Sequence, residues 1–157
     1  LTHGHYDHVM AVPQIVAKTG AKVYIHKRDQ WLLECDEVLR YGTRAEGYSV
    51  PHIDGFLEDG QTIQLGSLTI QVLHTPGHTA GCVTFLCGDA MFSGDTLFQD
   101  CCGRTDLETG SLDDIFRGLK RLAELPGNYR VFPGHEGFSS LEYERQYNPY
   151  IREAMRR

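Results

Sequence analysis

Thr2-His3-Gly4-His5-Tyr6-Asp7-His8 puts three histidines and one aspartate within six consecutive residues, His3 to His8. Crowded imidazoles repel one another on protonation, so the cluster is unfavourable unless something is bound there. In extended backbone, residues two apart share a side. His3, His5 and Asp7 are therefore in phase, and His8 joins them only if the chain turns. One cation can take His3 and His5, a second Asp7 and His8, and each needs a further donor from elsewhere in the chain. Neutral imidazole and carboxylate suit zinc, iron or manganese rather than calcium or magnesium.

Working outward, three later segments share a character: Thr75-Pro76-Gly77-His78-Thr79, Phe92-Ser93-Gly94-Asp95-Thr96 and Phe132-Pro133-Gly134-His135. Each sets a His or Asp beside Gly or Pro, directly after a hydrophobic strand-like stretch. Strand ends that feed glycine turns hold ligands rigidly while leaving a coordination position open. His78 and His135 are the obvious additional donors. Asp95 can bridge, because a carboxylate offers one oxygen to each of two ions. Taken singly, His26, His52 and His74 read as surface or capping residues.

The elements between these segments are mixed. A short helix is expected over Ala11 to Lys18, then a strand over Ala21 to His26. Ile63 and Leu65, then Leu68, Ile70 and Val72, alternate with polar residues on either side of Gly66-Ser67, which predicts a hairpin. Strands at Cys82–Cys87 and Ala90–Ser93 flank a second turn at Gly88-Asp89. Ser111 caps a helix with Leu112, Ile115, Phe116, Leu119 and Leu122 on one face, stopped by Leu125-Pro126-Gly127. Val131 and Phe132 form a short strand, and Leu141 to Met155 reads as a final helix. The stretch Cys35 to Asp59 reads as a helix end followed by a loop or lid, with Tyr41, Tyr48, His52 and Phe56 at the mouth of the site. Hairpins without regular βαβ repetition indicate a sheet covered by helices.

The bulk properties narrow the function classes. The length, 157 residues, fits one domain spanning 1–157, and 41 % hydrophobic with 23 % charged residues is ordinary for a globular protein. The longest apolar runs fall far short of the ~20 residues of a membrane span. Fifteen Lys and Arg against 21 Asp and Glu leave a net charge of −6, which disfavours nucleic acid as a partner. Cys35, Cys82, Cys87, Cys101 and Cys102 contain no Cys-x-x-Cys pair and read as free thiols in a reducing, cytoplasmic setting. The adjacent Cys101-Cys102 is the pair with redox interest.

His-x-His-x-Asp-His, then Thr-Pro-Gly-His-Thr, Gly-Asp-Thr-Leu-Phe and Pro-Gly-His, in this order, resemble the metallo-β-lactamase-fold hydrolases. The pattern is most similar to their compact glyoxalase II (hydroxyacylglutathione hydrolase) branch. The resemblance implies an α+β fold, the αββα sandwich, and the usual N-terminal strands are expected to be missing from this chain. It implies two divalent metal ions, zinc first, with iron or manganese as alternatives. His3, His5 and His78 match the ligands of the first, Asp7, His8 and His135 those of the second, and Asp95 the bridging carboxylate. Asp7 would also orient the metal-held hydroxide. Arg104, within Gly103-Arg104-Thr105-Asp106, matches a cation near the thiol portion of the substrate.

With Asp7, Asp95 and one hydroxide, such a dinuclear centre carries about +1 and attracts an anionic substrate. The implied reaction is attack of a metal-bridging hydroxide on a thioester such as a hydroxyacyl-glutathione. A thiol of pKa ~8.5 leaves with little need of a separate acid. The implied partner is a small anionic thioester, neither nucleic acid nor membrane. A rival of the same fold is a persulfide dioxygenase with one iron on His3, His78 and Asp95. A lactone or other ester can also meet the same hydroxide, whereas a nuclease would need a basic groove that this charge balance argues against.

Overall fold

In the computed structural model of the chain, residues 1–34 and 49–157 are described. Two short helices open the chain, α1 (Tyr6–Val9) and α2 (Val12–Thr19), followed by β1 (Tyr24–His26) and a 3₁₀ segment over Lys27–Leu33. Then come β2 (Gly55–Leu57), β3 (Thr62–Leu65), β4 (Leu68–His74), β5 (Val83–Cys87) and β6 (Ala90–Gly94). The remainder is β7 (Leu97–Phe98), β8 (Cys101–Cys102), α3 (Leu112–Ala123), β9 (Arg130–Pro133), β10 (Ser139–Ser140), α4 (Leu141–Tyr147) and α5 (Pro149–Ala154).

Six strands make the main sheet, in the order β10-β9-β6-β5-β4-β3. Its two predicted hairpins are present: Ile63 pairs with Ile70 about Gly66-Ser67, and Cys87 with Ala90 about Gly88-Asp89. β4 and β5 also pair antiparallel, Val72 opposite Phe85. β6 and β9 run parallel, because α3 lies between them in the chain and returns it to the same end of the sheet. Their register shifts between Phe92 and Gly94, which frees the strand end just before Asp95.

Strand periodicity gives the sheet two distinct faces. Leu73, Leu86, Met91 and Val131 point to one side, where they bury Ile115, Leu119 and Leu122 of α3 together with Leu141 and Ile151. Val72 and Val83 point to the other, where Leu57 of β2 and Tyr24 of β1 cover them. β1 and β2 form a parallel pair, Ile25 opposite Phe56. Its outer side is closed by Val9, Val12 and Leu33 around Val23 and Ile25. The order of layers is thus helix, sheet, sheet, helix, with a two-stranded outer sheet among the described residues. Beside β2 the inner face of the main sheet opens into an apolar hollow of about 250 Å³ lined by Ile63, Ile70, Phe85 and Phe92. No helix of the described residues is long and apolar enough to cross a membrane.

Three expectations need correction. The final helix is not continuous: Asn148 takes an extended conformation (φ −65°, ψ 117°) and separates α4 from α5. Pro149 explains the break, since it lacks an N–H and disfavours helix at the residue before it. The stretch read as loop or lid supplies β2, a strand of the outer sheet. Tyr41, Tyr48 and Cys35 lie outside the described residues. Phe56 lines a separate hollow with His26 and Arg28, away from the histidine cluster.

Asn148 does more than break a helix. Its Oδ1 accepts from the N–H groups of Tyr150 and Ile151, capping α5. Its Nδ2 donates to the carbonyls of Phe98 (3.3 Å) and Cys101 (3.0 Å), fixing the β7–β8 turn that walls the candidate site. Asn148→Ala should remove the cap and leave the buried Phe98 carbonyl and the half-buried Cys101 carbonyl without this donor. The expected loss is about 2–4 kcal/mol in urea unfolding.

Candidate metal centre

The backbone at His5 is extended (φ −66°, ψ 149°) and turns at once into α1, with the His8 N–H on the His5 carbonyl at 3.0 Å. That turn is the one His8 needs to join His3 and His5. It also takes Asp7 off the extended line on which it would have shared their side. His3 and His5 end buried, whereas the Asp7 side chain keeps 37 % of its surface.

All seven side chains singled out in the sequence meet at one place. Nitrogens of His3, His5 and His78 lie within 4.8 Å of one another, and donors of Asp7, His8 and His135 do the same. A third such group joins them: His3, His8 and Asp95. His5 Nδ1 and His78 Nε2 approach to 2.8 Å, and His8 Nε2 and His135 Nε2 to 3.3 Å. Asp95 stands between the two sets. Its Oδ2 is 3.4 Å from both His78 Nε2 and His135 Nε2, and its Oδ1 is 3.3 Å from His8 Nε2.

Burial and mutual repulsion set the protonation states. Burial first, then the neighbouring histidines, holds His3 well below the ordinary imidazole range. The same causes, burial and His78, bring His5 down to about 4. Burial opposes a charge on His8 too, but contact with Asp95 and the charge of Asp7 outweigh it and raise its pKa. For Asp95 burial would raise the pKa, yet His8, His78 and His135 hold it below the ordinary carboxylate range. His3 and His5 are therefore neutral and Asp95 ionised near neutral pH, the forms that bind cations, whereas contact with Asp95 favours a proton on His8 that a cation would displace.

The donors fit a pair of divalent metal ions. His3 Nε2 is buried with no hydrogen-bond partner in the protein, and the buried Asp95 Oδ1 has only the His8 ring beside it, at 3.3 Å. A buried polar atom without a partner costs about 1–3 kcal/mol unless something satisfies it. His78 Nδ1 donates to the Arg104 carbonyl at 2.8 Å, which leaves the Nε2 lone pair aimed at the cluster. His3, His5 and His78 with Asp7, His8, His135 and Asp95 would hold the ions.

Above the cluster lies a cleft of about 560 Å³, walled by Tyr6, Phe98, Cys101, Cys102, Arg104 and Leu107. The Arg104 guanidinium is on this wall but is held by both oxygens of Asp106, at 2.6 and 2.7 Å, in an exposed pair. Cys101 and Cys102 are free thiols, and burial pushes Cys102 up to about 12. His26 and His74 stand apart, stacked at 4.1 Å, with His26 Nδ1 accepting from the Arg28 N–H.

Two contributors were not visible in the sequence. One is the Arg104 carbonyl, a backbone group with no residue signature. The other is Asp29, fully buried beneath the cluster and bonded to Gly4, Thr79 and Gly81. The charged run Lys27-Arg28-Asp29-Gln30 gave no hint of it.

The Metallo-beta-lactamase superfamily model matches residues 1–135, so the chain belongs to that superfamily, whose fold binds divalent metal ions and serves metal-dependent hydrolysis. It is similar to the di-iron-bound structure of TTHA1623, with 39 % identity and a TM-score of 0.78 over 96 % of this chain and 75 % of that one. The hydroxyacylglutathione hydrolase GloC of Haemophilus influenzae is 30 % identical over 96 % of this chain and 74 % of its own. ETHE1 from Myxococcus xanthus is 30 % identical, with a TM-score of 0.76 over 98 % of this chain and 63 % of that one.

Gly134 shows how tightly the cluster is drawn. A Cβ there would lie 2.2 Å from Asp95 Oδ1 and 2.6 Å from His8 Cε1. Gly134→Ala should therefore displace the ligands of the Asp7/His8/His135 set. Metal analysis of the purified variant is expected to fall from two ions per chain towards one.

Proposed function

We propose that the chain hydrolyses a small anionic thioester of the hydroxyacyl-glutathione type at a dinuclear centre. The observation that carries the dinuclear reading is Asp95, whose two oxygens face histidines of both three-donor groups. Similarity to GloC supports the thioester as substrate class. Zinc is the first choice of metal, and the di-iron form of TTHA1623 keeps iron as an alternative.

Bound at these residues, divalent ions lower the pKa of a coordinated water to about 7 and polarise the carbonyl under attack. The rest is the work of this chain's own groups. His3, His5, His78 and Asp95 are buried, while His135 keeps 48 % of its side-chain surface, so the substrate carbonyl enters from the Asp7/His135 side. Asp7 Oδ2, 3.1 Å from His135 Nε2 at that open side, accepts a hydrogen bond from the attacking water and orients it. Phe98, edge-on to His135 at 5.9 Å, limits how that ring can tilt. The thiol departs as thiolate, its pKa of ~8.5 making protonation by a separate acid unnecessary.

The second reading, persulfide oxidation at one iron on His3, His78 and Asp95, draws on the likeness to ETHE1. Two histidines and a carboxylate are a recurrent set for non-haem iron. Metal analysis of the full-length protein, with turnover of a lactoyl-thiol ester, separates the two. Two ions per chain and thioester hydrolysis are expected. One iron per chain with O2 uptake on a persulfide would overturn the proposal, as would a fully loaded protein that leaves the thioester intact.

Arg104 is proposed to meet the substrate's thiol portion. Its side chain can be tested separately from its carbonyl, because Arg104→Ala leaves the bond to His78 in place. With the guanidinium exposed and shared with Asp106, KM should rise about three- to tenfold with kcat nearly unchanged. An unchanged KM would remove Arg104 from substrate binding.

A further inference from the structure

Asp29 is a carboxylate with no exposed surface, and its partners all belong to segments that carry histidines of the cluster. Oδ2 accepts from the Gly4 N–H at 3.1 Å, between His3 and His5, and from the Thr79 hydroxyl at 2.6 Å, next to His78. Oδ1 accepts from the Gly81 N–H at 2.7 Å, at the end of the same loop. The contacts leave no slack. A Cβ on Gly81 would lie 2.5 Å from Asp29 Cγ, and one on Gly4 2.9 Å from the Asp29 carbonyl oxygen and 2.7 Å from Leu32 Cβ.

The Thr79 hydroxyl has one proton, which it gives to Asp29. It therefore accepts from Cys82 Sγ, at 3.1 Å, whose thiol burial pushes up to about 12 and so keeps protonated. A relay of fixed polarity runs from Cys82 through Thr79 to Asp29.

We infer that Asp29 is a positioning residue for the candidate metal centre: one buried carboxylate sets His3 and His5 in register with His78. This rests on the reading that the cluster binds metal. Two facts favour it over a general structural brace. First, all three hydrogen bonds reach the two segments that supply His3, His5 and His78. None reaches Asp7, His8 or His135. Second, these partners are neutral donors, whereas a buried carboxylate is ordinarily matched by a positive charge. Burial raises the Asp29 pKa, and the bonds from Thr79, Gly4 and Gly81 offset this only in part, so the carboxylate is short of a positive partner. A cation held by His3, His5 and His78 would thus be stabilised by Asp29 through charge as well as geometry.

The test titrates the full-length apo-protein with cobalt(II), read by its visible ligand-field spectrum, and with zinc in competition with a chelator. Wild type should take up two ions, and His135→Ala identifies the step belonging to the Asp7/His8/His135 set. Asp29→Asn keeps the size, but its NH2 group faces donors. It should weaken the His3/His5/His78 step about 10–100-fold, as loss of outer-sphere partners does elsewhere, and alter the cobalt spectrum of that step alone. Thr79→Val should weaken the same step less, and Thr79→Ser, which retains the hydroxyl, should restore it.

Unchanged affinity at both steps in Asp29→Asn overturns the inference. So does equal weakening of both steps alongside a lowered Tm of the apo-protein, which is the mark of a general brace. If Asp29→Asn does not fold, the Thr79 pair decides, and equal zinc affinity in Thr79→Val and Thr79→Ser overturns the inference. A wild-type protein that takes up no divalent ion overturns the metal reading itself, an outcome distinct from any failure of Asp29.

Discussion

Asp95 is an anion within 3.4 Å of histidines from three other segments of the chain, at positions 8, 78 and 135. Those segments are separated by long stretches of sequence and have no reason to meet except through the sheet. The carboxylate needs positive charge near it, while His3 and His5 close by are held neutral by burial and mutual repulsion. Without a further cation the buried His3 Nε2 has no partner, and Asp95 Oδ1 has only the His8 ring. The rest of the fold can be understood as the means of keeping seven side chains in that unfavourable proximity.

Rigid strand ends do most of this. Thr75, Thr84 and Thr96 share a buried hydroxyl network, with oxygens 3.0 and 3.1 Å apart, which ties the approach to His78 to the approach to Asp95. The Val83 N–H bonds the Thr2 carbonyl at 2.9 Å and so anchors the first motif to β5. The Arg104 carbonyl then fixes one tautomer of His78. Each restraint acts within three residues of a donor or on the donor itself, so the donors need little contact with the hydrophobic core. Core packing supports the strands and α3, and the hydrogen bonds at their ends aim the ligands.

The parts of this legible in the sequence were those in which residue type carries the information. Histidine, aspartate and glycine at strand ends disclosed every member of the cluster, and alternation about Gly66-Ser67 disclosed the β3–β4 hairpin. What stayed hidden depends on backbone groups or distant contacts. Asp29 sits among charged neighbours and is buried only because Gly4, Thr79 and Gly81 converge on it. The helix break at Asn148 was signalled by Pro149. The periodic apolar residues on both sides masked it, because α4 and α5 pack Leu141 and Ile151 against the same sheet face. β2 was hidden for a different reason: Gly55-Phe56-Leu57 is too short to show alternation, and it is a strand only because β1 lies beside it.

The two halves of the cluster differ in burial, and that difference bears on how one scaffold serves related chemistries. His3, His5 and His78 are enclosed and braced from below by Asp29, so their geometry is set before any substrate arrives. Asp7 and His135 lie at the mouth, where side-chain exposures of 37 % and 48 % leave room for water and for an acyl group. A change of substrate therefore demands changes around the open half and its wall, at Tyr6, Phe98, Cys101, Arg104 and Leu107. The enclosed half can stay as it is. The reaction performed should accordingly be sought in the residues of the wall, because the deep histidines would serve only to hold a cation.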